Sequence, residues 1–221
     1  MTNALGRPLG LLLLLGGAIL PGCAAQQTTA TGFLAQAPQE APLAATAEDP
    51  ETRLFVADAA ALRGFRAVMI EDVAFRPGPA VPAVIDQAVV DDLRTSFRQS
   101  LSAAFAARGY RLVATPVSEG GTLRLRAAVT GYERANVALN LATTVLGAPV
   151  TAGGAASETE VLDEATGTRL VAQATHSNGT PLLGGPHNYY REHGHARAAL
   201  DRHARDLAAR MPPAATNWAS R

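Results

Sequence analysis

Lysine is absent from this chain of 221 residues, and cysteine occurs only once, at Cys23. A lone cysteine excludes an internal disulfide, so the stability of the fold has to come from a packed core. Charge is scarce too: 17% of the residues are charged and the formal net charge is +0. No global field steers such a chain to an anionic polymer, so nucleic-acid binding is excluded as a leading function. Long apolar runs are also few. The one that matters, Leu9 to Leu20, is about a dozen residues, too short for the roughly 20 that a transmembrane helix requires and suited to a cleavable secretory segment. Arg7 supplies the single positive charge ahead of it.

That run closes on Leu20-Pro21-Gly22-Cys23. The segment resembles the lipobox of bacterial lipoproteins, in which a small residue precedes a cysteine that is lipidated and becomes the mature N-terminus. Gly22 and Leu20 fit the pattern, and Pro21 stands where a small residue is usual. A thiolate is the side-chain nucleophile best suited to take a diacylglycerol as a thioether. Each buried methylene of an acyl chain contributes about 0.8 kcal/mol, so two or three chains hold a protein durably at a membrane. Ala24, in place of an inner-membrane retention signal, points to the outer membrane facing the periplasm. The expected contacts are thus the membrane, through the N-terminal lipid, and a protein of the envelope.

The division that follows is a signal segment over 1–22, a lipidated N-terminus and tether over 23–60, one domain over 61–211 and a tail over 212–221. About 200 residues remain after cleavage, enough for one domain with a real core. The tether reading rests on Pro38, Pro42 and Pro50 and on the lack of any helical or alternating period; some 30 flexible residues would span about 30 Å. Phe33 and Leu34 interrupt it with two large apolar groups that are expected to dock on the domain or its partner.

Within the domain, Phe65 to Phe75 reads as a strand that ends at Arg76-Pro77-Gly78-Pro79. From Ile85 to Arg108, the residues Val90, Leu93, Phe97, Leu101, Ala104 and Phe105 recur at spacings of three and four, which predicts an amphipathic helix stopped by Gly109. Tyr110 to Val113 is a short strand. Thr122 to Val129 alternates, with Leu123, Leu125, Ala127 and Val129 on one face and Arg124 and Arg126 on a face expected to be wet. Ser157 to Leu162 and Thr168 to Thr175 form a hairpin whose turn uses Gly167 at positive φ. Glu158 and Glu160 share a face, and ion pairs with Arg124 and Arg126 at a surface would add about 0 to 1 kcal/mol each. A last helix, His195 to Arg210, turns Ala196, Ala199, Leu200, His203 and Leu207 inward and stops at Pro212-Pro213. The order predicts an α+β fold: one mostly antiparallel sheet of about five strands, with both helices packed on one face.

Three motifs carry a family resemblance: Thr31-Gly32-Phe33-Leu34; Leu123-Arg124-Leu125-Arg126-Ala127-Ala128-Val129 running on to Asn136 and Asn140; and Gly153-Gly154-Ala155-Ala156-Ser157-Glu158 leading into Asp163-Glu164-Ala165-Thr166-Gly167. Together they resemble an uncharacterised family of bacterial lipoproteins, domain of unknown function 3313. The resemblance implies an envelope address and a single domain, and brings no activity, substrate or catalytic residue.

Chemistry-bearing residues are sparse. All five histidines, His176, His187, His193, His195 and His203, lie in the last quarter. His193 and His195 are weak candidates for a metal, because neither has a histidine four residues on, as a helical pair needs; His203 reads as a core histidine. Ser157 and Ser177 lack a Gly-x-Ser-x-Gly elbow. Glu158 and Glu160 stand about 7 Å apart, a spacing that the strand period alone explains. No catalytic residue and no cofactor follow from these residues. The stretch from Ala135 to Ser157 carries no charge until Glu158; such a length is either tucked under the sheet or exposed to a partner or lipid, and in the second case Val137, Leu139, Leu141, Val145 and Leu146 are the candidate partner contacts. The expected function is a non-catalytic, lipid-anchored binding or structural module; the rival is small-ligand or metal handling at the C-terminal histidines.

Overall fold

The computed structural model describes residues 31–34, 42–47, 52–78, 85–117, 121–133, 153–178 and 193–214. They form one mixed eight-stranded sheet and two helices, an α+β fold. The strands are β1 (Ala44–Ala45), β2 (Arg53–Val56), β3 (Ala67–Ile70), β4 (Ala74–Phe75), β5 (Arg111–Leu112), β6 (Thr122–Glu133), β7 (Gly154–Asp163) and β8 (Arg169–Asn178); the helices are α1 (Gln87–Ala107) and α2 (Gly194–Arg210). The sheet order is β1-β2-β8-β7-β6-β3-β5, with β4 also paired to β6.

The apolar periods in the sequence find their partners. Val90, Leu93, Phe97, Leu101, Ala104 and Phe105 form the buried stripe of α1. Ala196, Ala199, Leu200, His203 and Leu207 are all buried along α2. Leu93, Phe97, Leu101, Ala104 and Phe105 of the first stripe and Ala196, Ala199, Leu200 and Leu207 of the second enter one cluster with Leu123, Leu125, Ala127 and Val129 of β6 and Val161 and Val171 of the hairpin. The Asp86 carboxylate caps α1 by accepting from the Ala88 amide at 2.8 Å, satisfying one of the donors that a helix start leaves free. At the β7–β8 turn, Gly167 takes φ +70, and its N–H donates to the Asp163 carbonyl at 2.8 Å.

Three expectations need correction. The sheet is wider than five strands and is not mostly antiparallel on its β6 side, where β3 and β4 run parallel to β6 and β3 runs parallel to β5. Tyr110 returns from the end of α1, so the chain re-enters the sheet in the direction of β3, as a helical crossover requires. Secondly, 65–75 is two strands: Ile70 pairs with Leu125 and Ala74 with Ala128, so four steps on one side oppose three on the other and the chain bulges between them. Arg98 and Arg94 of α1 donate to the carbonyls of Ile70 and Val73 there. Thirdly, 23–60 is not all tether. Leu54 and Arg53 pair with β8 and with β1, and Thr31–Leu34 packs on the sheet. The domain also continues past 211: the Tyr110 hydroxyl donates to the Pro212 carbonyl at 2.8 Å, and the Ala214 amide donates to the Arg108 carbonyl at 2.9 Å.

Candidate functional site

The alternation of β6 leaves Arg124, Arg126 and Ala128 on the face of the sheet away from the helices, opposite Leu162, Glu160 and Glu158 of β7. Ala172 and Ala174 of β8 continue that row. Its small side chains make a shallow floor. The expectation that this face is wet fails at its centre, where Glu158 is 1% exposed and Glu160 0%. The cover is Thr31–Leu34, with Phe33 and Leu34 buried against Ala128 and Ala174 and flanked by Leu43 and Ala74.

Each glutamate has its own partners. Glu160 accepts from Arg126 at 2.5 Å on one oxygen and from the Nε and a terminal nitrogen of Arg169 at 3.2 and 3.1 Å on the other. Arg126 also approaches Glu71 at 3.7 Å, and Arg124 joins Glu71 at 3.9 Å and Glu164 at 3.1 Å. Three carboxylates and three guanidiniums thereby form one neutral chain of charge across the face. Removing a partner from a buried pair costs about 3 to 5 kcal/mol, because the charge left behind is desolvated. The surface value of 0 to 1 kcal/mol therefore does not apply to Glu160.

Glu158 is held differently. Its Oε1 accepts from the Thr31 amide at 2.8 Å and its Oε2 from the Leu34 amide at 3.3 Å. Arg169 donates to the Leu34 carbonyl, and the Arg126 guanidinium carbon lies 5.1 Å from the Phe33 ring centroid, within cation–π range. Gly32 has φ +82, the left-handed turn that brings the two amides on either side of it to one carboxylate. Sequence reading anticipated the docking of Phe33 and Leu34, but missed Arg169 and Glu71; nothing in a local period pairs Arg169 with Leu34, 135 positions away, or Glu71 with Arg124 and Arg126.

On the helix side the structure brings Ser157, His203 and Ser177 together. His203 Nδ1 lies 3.0 Å from Ser157 Oγ, and its Nε2 lies 2.9 Å from Ser177 Oγ. His203 is 1% exposed, and burial, with Arg202 and His176 adding to it, lowers its pKa to about 3. The imidazole joins the buried Ser157 hydroxyl to the half-buried Ser177 hydroxyl between β7, β8 and α2. His193 Nδ1 lies 2.6 Å from the Tyr132 hydroxyl. His195, in the first turn of α2, is buried, and desolvation lowers its pKa. Among the described residues no three His, Cys, Asp or Glu side chains are grouped to hold a metal. Cys23, His187, Val137, Leu139, Leu141, Val145 and Leu146 lie outside the described residues.

A family model, "Protein of unknown function (DUF3313)", matches residues 30–207. The chain belongs to this family. Its match opens one residue before the docked Thr31 and runs through β1 to Leu207 of α2. No curated protein matches the chain at a significant level. Among solved structures it is similar to the PelC dodecamer from Paraburkholderia phytofirmans, at 13% identity and a TM-score of 0.46, covering 73% of this chain and 98% of that one. It is also similar to the hypothetical protein CT253 from Chlamydia trachomatis, at 12% identity and a TM-score of 0.38, covering 66% and 94%. Protein XCC0632 from Xanthomonas campestris gives 11% identity and a TM-score of 0.38, covering 64% and 81%.

Proposed function

We propose that this protein is a lipid-anchored lipoprotein of the bacterial envelope, held through Cys23 at the outer membrane on its periplasmic side, and that its domain binds an envelope protein rather than performing catalysis. The observation that carries the reading is the run Leu9 to Leu20 ending at Gly22-Cys23, which pairs a short secretory segment with the one nucleophile that lipid transfer needs. The uncharged stretch from Ala135 onward supports a protein partner, since apolar side chains in such a length call for burial against something. The same stretch supplies the proposed contacts, Val137, Leu139, Leu141, Val145 and Leu146.

The test has two arms. Mass spectrometry of protein from its native envelope is expected to find Cys23 as an acylated N-terminal thioether, with Cys23→Ala moving the protein from the detergent phase to the aqueous phase. An unmodified sulfur, or unchanged partitioning of Cys23→Ala, would overturn the anchor. A photo-crosslinking residue at Leu141 is expected to capture one reproducible envelope protein; capture of none would overturn the binding role.

A further inference from the structure

Thr31–Leu34 is tied to the sheet by a carboxylate, two guanidiniums and a small apolar patch, far more than a passing linker needs. Glu158 is buried beneath it and accepts both flanking amides, Arg169 takes its last carbonyl, and Phe33 and Leu34 are both buried. The sequence places Cys23 eight residue steps before Thr31 and 21 steps before Ala44, the first strand residue. However the intervening residues are arranged, eight steps reach at most about 29 Å, against about 75 Å for 21.

We infer that Thr31–Leu34 is a clamp that shortens the leash between lipid and domain and turns the Glu158 face of the sheet toward the bilayer, leaving the α1–α2 layer facing away from it. This rests on the lipid anchor proposed above. A domain of this length is about 40 Å across, and a leash of about 29 Å fastened near the middle of one face cannot pass round the edge to lay the opposite face on the membrane. Without the clamp the longer leash permits any orientation. The specificity of the clamp lies in Glu158, which needs two converging N–H donors, in Gly32, which lets them converge, and in the Phe33 ring beneath the Arg126 guanidinium.

Chymotrypsin reads the clamp directly, because Phe33 and Leu34 are its substrates and are shielded only while docked. Cleavage after Phe33 or Leu34 is expected to be at least tenfold faster in Glu158→Ala than in the unaltered protein, with Gly32→Ala and Phe33→Ala, which lie outside every strand, releasing Leu34 similarly should Glu158→Ala fail to fold. Equal rates in folded variants would overturn the clamp whether or not Cys23 is lipidated. Orientation is read on the lipidated full chain in vesicles with headgroup-labelled acceptor lipid. A donor on Arg53→Cys, beside the clamp face, is expected to transfer energy more efficiently than one on Gln99→Cys of α1, and the difference is expected to collapse in Gly32→Ala. Protein that stays in solution with an unmodified Cys23 refutes the anchor; protein that binds vesicles yet gives equal transfer from both sites, or more from Gln99→Cys, refutes the orientation.

Discussion

The two faces of the sheet are held by different physics. Toward α1 and α2, leucine, phenylalanine, valine and alanine interlock in one large cluster, with the Ser157–His203–Ser177 bridge as a polar inclusion. Toward Thr31–Leu34, four residues form a small cluster and the rest of the contact is charge and hydrogen bonds. Burial of apolar area scales with size and tolerates change in detail. A buried charge network depends on every member, since each desolvated group left unpaired is costly. The helix face should therefore govern whether the domain folds, and the opposite face how the N-terminal segment is held.

The sharpest way to test that contrast is Phe97→Ala. It is expected to remove about 3 to 5 kcal/mol from the global stability in denaturant titration, while truncating Phe33 to Ala should release the segment and leave most of that stability intact. At the lower end of the same range stands Glu160→Ala, expected to cost about 3 kcal/mol because Arg126 and Arg169 lose their shared carboxylate; a loss below 1 kcal/mol would mean the network behaves like a surface pair. Acid probes the helix face next. His203 is neutral in the folded protein with a pKa of about 3 and protonates near pH 6.5 once unfolded. Its stabilising contribution is complete above that value and is lost as pH falls toward 3. Lowering pH from 7 to 4.5 is expected to cost about 2 to 3 kcal/mol more in the wild type than in His203→Gln, measured by urea unfolding at both pH values. The smallest effect is local: Gly167→Ala, strained only by φ +70 with open space around the added carbon, is expected to cost about 1 kcal/mol and to shift the thermal midpoint by a few degrees.

Legibility from sequence tracked this division. The stripe Val90-Leu93-Phe97-Leu101 and the inward row Ala196-Ala199-Leu200-His203-Leu207 were readable because helical burial repeats every 3.6 residues, and each stripe lies where its period placed it. Leu123, Leu125 and Ala127 were readable from the strand period of two. That same period sorted Glu158 and Glu160 onto one face but could not say that the face is covered. Thr31 and Glu158 are 127 positions apart, and no repeat in either neighbourhood refers to the other. The tether assignment failed for the same reason: β1 and β2 are short and lack alternation, and their strand character comes from the edge of β8 to which they pair.

What the amino-acid sequence determined by itself was local: where helices start and stop, which side of each element is apolar, where a turn needs Gly167, and the placement of one cysteine behind a short apolar run. Only the tertiary structure decided that β3 and β4 lie parallel to β6, that His203 bridges two serines, and that Glu158 and Glu160 are buried beneath the chain's own N-terminal segment. The reason is range. Backbone geometry and side-chain period act over a few residues, whereas burial and the pairing of buried charge depend on which distant segments the folded chain brings into contact.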